Sequence, residues 1–210
     1  MARGFKRSRR GIRARLDDGE RGLLAHLFVE VHEMLDDETS ADDDPLAVLV
    51  GIGTAVDLPG DPAVARLLPD AHRDDPDASA EFRRYTEAGL RERKRTGLEV
   101  ARRSLGRDGA TLVLDEDEAQ AWVVALTDVR LVLASRMGLE VDEDHERLEA
   151  LAAAELAAEA QGVPAQDGDG DGDGDVPPSS GLAWVLAVYD FLTWLQESLV
   201  EALLEPLPHD

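Results

Sequence analysis

The segment from Leu182 to Leu204 constrains the fold more than any other stretch of this chain. Val185, Val188, Tyr189, Leu192, Leu195, Leu199 and Leu203 recur in it at the three- and four-residue spacing that lines one side of a helix. The helix is long enough for a bilayer, yet Asp190, Gln196, Glu197 and Glu201 interrupt it. A charge at bilayer depth costs about 2.5–3.5 kcal/mol, so the segment reads as a core helix and not as a membrane span. It is also too apolar to stand alone in water. It must pack back onto a bundle or pair with a second copy, so a homodimer through this helix is one expectation.

Helix-start signals supply the rest of the bundle. Asp17 with Glu20, and Asp115 with Glu118, have the spacing of capping boxes. Asp61-Pro62 and Asp75-Pro76 each place an N-cap acceptor before a proline whose missing N–H costs nothing at the first helical position. The first helix carries Leu23, Leu24, Leu27, Val31 and Leu35, and a short one carries Val64, Leu67 and Leu68. A long third helix turns Phe82, Tyr85, Gly89, Leu90, Leu98, Ala101 and Leu105 inward and stops at Gly106. The helix after Asp115 is apolar almost all round as far as Met137 and Gly138, which marks it as the buried central helix. Glu143 to Ala160 is a helix rich in alanine and glutamate, with Leu148, Leu151 and Leu156 on one side. Leu46 to Ile52 is a short helix or a buried segment.

Two short patterns break the helical rule. Phe5-Lys6-Arg7 and Ile12-Arg13-Ala14-Arg15-Leu16 alternate around Arg10-Gly11 as a β-hairpin, and Thr111 to Leu114 is a strand too short to stand alone. The expected fold is therefore mainly α. About six helices form a bundle, with a small two- or three-stranded β-sheet made of the N-terminal hairpin and the strand near 111–114. Residues 1–160 form the helical domain with its sheet, and 161–180 form a disordered insertion rich in Gly, Asp and Pro. Residues 181–206 form a C-terminal helix that returns to the same domain.

The charge is large and unevenly placed. The chain of 210 residues has 45 acidic and 22 basic residues, a net charge of −23. That excess repels nucleic acid and anionic lipid at long range. Yet Arg3, Lys6, Arg7, Arg9, Arg10, Arg13 and Arg15 all precede the first acid, Asp17, and a second basic stretch runs from Arg83 to Arg107. Arg7, Arg9, Arg10, Arg13, Arg91, Arg95 and Arg102 are the candidate nucleic-acid contacts, since arginines that release phosphate counterions give salt-dependent binding. The competing reading is that the helical arginines pair with Glu87, Glu92 and Glu99 beside them.

Other chemistry is excluded or weak. With no cysteine there is no disulfide, thiolate ligand or thiol switch. Asp167, Asp169, Asp171 and Gly172 open like a calcium loop, but the closing twelfth position is Pro178, or Ser180 if the loop starts at Asp169. His26, His32, His72, His145 and His209 form no pair of histidines four residues apart. No catalytic residue, metal site or cofactor is expected, and no apolar leader follows the basic N-terminus, so the expectation is a cytoplasmic protein that is not an enzyme. Asp128, Arg130 and Asp190 interrupt apolar helices and are expected as structural buried polar groups, with Asp128 or Asp190 meeting an arginine between helices. Trp122, Trp184 and Trp194 are expected in the core or along a helix seam.

Three blocks together resemble a known family. They are Asp61-Pro62 with Arg66-Leu67-Leu68-Pro69 and Tyr85, then Ala121-Trp122-Val123-Val124-Ala125-Leu126-Thr127-Asp128-Val129-Arg130-Leu131, and Tyr189-Asp190-Phe191-Leu192-Thr193-Trp194-Leu195-Gln196-Glu197. The combination is similar to the AosR-like family of actinobacterial oxidative-stress regulators, formerly a domain of unknown function, from about Phe5 to Leu204. The resemblance implies transcription regulation, with DNA or a transcription-associated protein as partner. It also implies redox sensing through a cysteine pair, which this chain lacks. The alternative function is a protein-interaction module that does not touch DNA.

Overall fold

The computed structural model describes residues 2–36, 59–72, 74–139, 142–160 and 181–206. The segment Leu46 to Ile52 and the insertion at 161–180 lie outside the described residues. Strands β1 (Arg3–Ser8), β2 (Gly11–Arg15) and β3 (Thr111–Leu114) form one antiparallel sheet in that order. The described helices are α1 (Asp18–Met34), α2 (Pro62–Leu67), α3 (Pro76–Leu105), α4 (Glu116–Met137), α5 (Asp142–Ala160) and α6 (Leu182–Leu204). The mainly α architecture with a small sheet is the one the sequence dictates. Among the described residues no helix is long and apolar enough to cross a membrane.

Local chemistry starts and stops these elements where expected. Asp17 and Asp115 accept from the N–H groups of Glu20 and Glu118, whose side chains cap in return. Asp61 and Asp75 accept from Ala63 and Ala78, each with a proline in the first turn. Helix α4 ends at Gly138 in the left-handed region, where Leu139 N–H reaches back to the Ala134 carbonyl, a Schellman closure. Helix α3 does end before Gly106, but that glycine stays right-handed.

The core is built around Trp122 on α4, which is wholly buried. Phe5 of β1 and Phe28 of α1 meet its ring edge-on at 5.5 and 5.4 Å, and its Nε1–H donates to Ser104 Oγ on α3 at 2.8 Å. Ile12, Ala14, Leu112 and Leu114 close the sheet's inner face over this centre. Helix α6 lies along α4 and β1, and its Ser198 Oγ accepts from Phe5 N–H. A smaller cluster of Ala134, Leu139, Leu148, Ala152 and Leu186 seats α5 on α6.

The structure corrects the expected inward faces of α3 and α5 and the placing of two tryptophans. Phe82 and Tyr85 are 50 % and 57 % exposed, while Arg83 and Glu87 are buried. The first half of α3 faces the polar chain after α2, and Arg83 fits there by donating to the Leu68 carbonyl, Asp70 and Glu87. Trp184 and Trp194 stand half-exposed on α6, and Leu151 is exposed on α5. Only Trp122 of the three tryptophans belongs to the core.

Candidate functional site

The sheet's outer face gathers the N-terminal cations. Arg13 and Arg15 alternate outward along β2, opposite to Ile12 and Ala14. Across the ladder Arg3 faces Arg15 and Lys6 faces Arg13. Arg3 and Lys6 are three residues apart, so a regular strand would place them on opposite faces. A bulge between them adds the residue that brings both outward. The next strand places uncharged Thr111 and Val113 beside Arg15 and Arg13.

Like charges directly opposite each other in a sheet are destabilising. Here two such pairs sit side by side, and among the described residues Arg3, Lys6, Arg10, Arg13 and Arg15 have no acidic partner. Arg10 extends the patch at the hairpin tip, where Ser8 Oγ donates to the Gly11 carbonyl and accepts from Arg10 N–H. Arg9, beside it in the turn, is engaged in a contact of its own.

The remaining arginine candidates are tied up within the fold. Arg7 is only 13 % exposed and donates to the Leu203 carbonyl and Glu116, fastening β1 to α6 and α4. Arg91 donates through Nε and Nη2 to one oxygen of Glu87, Oε1. Arg95 bridges Asp36 and Glu92. Arg102 donates twice to Glu99, and these hydrogen bonds hold the Glu99 carboxyl below its usual range. The seven candidates thus divide: Arg10 and Arg13 stay outward on the hairpin, while Arg91, Arg95 and Arg102 are held by glutamates three or four residues away and Arg7 by Glu116.

The three interrupting polar residues part company. Asp128 is buried, 1 % exposed, and its partner is Lys94 Nζ at 2.5 Å, a lysine and not the expected arginine. Burial pushes its carboxyl above the usual range, opposed by the Lys94 hydrogen bond and charge, and its Oδ2 has no hydrogen-bond partner among the described residues. Arg130 is half-buried, donating to Gln196 Oε1 at 2.8 Å and lying over the Tyr189 ring. Asp190 corrects the expectation of burial: its side chain is 55 % exposed and faces His145. The apolar spacing of α6 fixes which side is buried, and Asp190 falls on the other.

Two features escaped sequence reasoning. The cross-strand stacking of like charges depends on a bulge that alternation alone does not reveal. His145 stands beside Glu149, four residues on, and Asp190 of another helix. The four-residue spacing of His145 and Glu149 is local, but Asp190 joins them only through the packing of α5 on α6.

Comparison with known proteins places this architecture. The profile of a family described as a domain of unknown function, DUF2017, matches residues 2–203. Proteins of Mycobacterium tuberculosis and Mycobacterium bovis named oxidative stress regulator AosR are 34% identical over 137 residues, covering 58% of this chain and 63% of theirs. The chain therefore aligns with less than two thirds of those relatives' length. An AosR relative from Mycobacterium leprae is 30% identical over 200 residues, covering 88% of this chain and 79% of its own. No solved structure matches.

Proposed function

The chain belongs to the DUF2017 family, and from that premise we propose that it is a regulator of the oxidative-stress response that acts by contact with promoter DNA through its sheet face. The observation that carries the reading is the pair of like-charge rungs, Arg3 with Arg15 and Lys6 with Arg13. They oppose folding, so a polyanion that relieves them gains both attraction and the removal of repulsion. The net charge of −23 does not forbid this, because at physiological salt the acidic body is screened beyond about 8 Å while the patch meets phosphates at contact. The role is binding and not turnover, and it takes place in the cytoplasm. Its signal does not pass through thiols, for the chain has none.

A mobility-shift comparison on the duplex upstream of its own coding region tests this. Arg13→Glu with Arg15→Glu should abolish the shift, whereas Arg102→Glu with Arg103→Glu should leave it, since Glu99 already occupies both side chains. Equal effects of the two pairs would sink the assignment to the sheet. The second reading, a protein-interaction module or homodimer using α6, draws on the exposed Trp184 and Trp194. A stoichiometric partner or second copy that withstands nuclease treatment, with no duplex shift, would favour it.

A further inference from the structure

An open cleft of about 610 Å³ lies between α4, α5 and α6, lined among others by Arg130, Tyr189 and Thr193. At its rim three metal-ligating side chains converge from two helices. His145 Nε2 lies 3.4 Å from Glu149 Oε1, one helical turn further along α5, and 3.7 Å from Asp190 Oδ1 on α6. One donor atom from each residue falls within 4.8 Å of the other two. We propose that His145, Glu149 and Asp190 form a binding site for a divalent first-row transition cation of the Zn²⁺ type.

The spacing fits a coordination sphere. Nitrogen and oxygen ligands about 2.0–2.1 Å from a tetrahedral ion stand about 3.3–3.4 Å apart along each edge. The two distances from the imidazole are already there or within a few tenths of an ångström. Small rotations of exposed side chains close the remainder. Charge points the same way: two carboxylates brought this close repel, one imidazole offsets at most one of them, and a divalent cation offsets both. The donor type selects the ion, because an imidazole with two carboxylates suits Zn²⁺ and its neighbours better than Ca²⁺ or Mg²⁺, which call for six or more oxygens. Three protein donors leave a fourth position open to cleft water. The Tyr189 ring lies beside the imidazole, centroid to centroid 6.1 Å, on the α6 side of the site. In the sequence this site is nearly invisible, since Asp190 lies forty-five residues from His145 and reaches it only because α5 packs on α6.

The test is calorimetric titration of the full chain with Zn²⁺ in a non-chelating buffer, followed by Co²⁺ substitution read in visible absorption. One equivalent should bind, with the intense bands of four-coordinate cobalt. His145→Ala and Asp190→Asn should each weaken binding at least ten-fold with unchanged far-ultraviolet circular dichroism. Replacing Asp169, Asp171 and Asp173 by serine should leave the cobalt spectrum as it was, which separates this site from cations held by the acidic insertion. Titrations of His145→Ala and Asp190→Asn that superimpose on the parent, or the absence of a stoichiometric site, would overturn the proposal. Either result leaves the reading of the sheet face untouched.

Discussion

Replacing Lys94 by methionine isolates a buried ion pair that joins α3 to α4. Methionine keeps most of the volume and removes the charge, leaving the Asp128 carboxylate 1 % exposed with neither oxygen satisfied. Removing one partner of a buried pair costs about 3–5 kcal/mol, because the other charge stays desolvated. For a domain of this size that lowers Tm by roughly 10 °C. The carboxyl's escape is protonation, and burial has already pushed its folded value above the ordinary 3.8. A raised folded pKa stabilises below the unfolded value and loses that contribution as pH rises through the folded one. The Lys94→Met penalty should therefore be greatest near neutrality and shrink on acidification. Lys94→Met with Asp128→Leu should recover most of the loss, since apolar replacement of both partners is often neutral or stabilising. The assay is urea unfolding of the three proteins at pH 7 and pH 5. A single-variant penalty below about 1 kcal/mol at pH 7, or one that grows toward pH 5, would refute the reasoning.

Other perturbations separate local from tertiary causes. Gly11 holds φ +114 with its missing Cβ 2.3 Å from the Leu114 carbonyl, so Gly11→Ala should cost at least about 1–3 kcal/mol in chemical denaturation. Gly97→Ala, within α3 and with no described atom within 4 Å of the added Cβ, should gain about 0.5–1 kcal/mol. Burial raises the Asp61 carboxyl, but Ala63 N–H and Arg136 outweigh it and hold the group below 3.8. Its contribution is thus present above that value and lost as pH falls through the depressed one, so the stability gap to Asp61→Asn should close in acid melts. Trp122→Phe should lose about 1 kcal/mol with the Ser104 hydrogen bond, while the iodide-quenchable fluorescence of the folded protein, from Trp184 and Trp194, stays unchanged.

The elements that the sequence announces are those whose causes are local. Asp17, Asp61, Asp75 and Asp115 cap their helices through N–H groups two or three residues away, and no tertiary contact is needed to read them. The Ile12–Ala14 alternation likewise fixes the sheet's inner face. Rotation of α3 was not legible, because Arg83 turns inward only where the Leu68 carbonyl and Asp70 await it. The fate of the arginines was half legible. Glutamates three or four residues away explain Arg91 and Arg102, but the fastening of Arg7 to Leu203 and Glu116 requires the folded chain. The neighbourhood of Asp190 was hidden for the same reason: hydropathy shows that a charge interrupts α6, and only packing shows which side of the helix it occupies.

The salt dependence of duplex binding tests the central claim most directly. Five outward cations, Arg3, Lys6, Arg10, Arg13 and Arg15, predict a slope of log affinity against log salt near about −4.5 if each meets a phosphate. Affinity should then fall roughly 500-fold between about 50 and 200 mM salt. Arg13→Gln with Arg15→Gln should bring the slope to about −2.7. A slope that is the same in the parent and in this variant would contradict the assignment of phosphate contact to the outer face of the sheet.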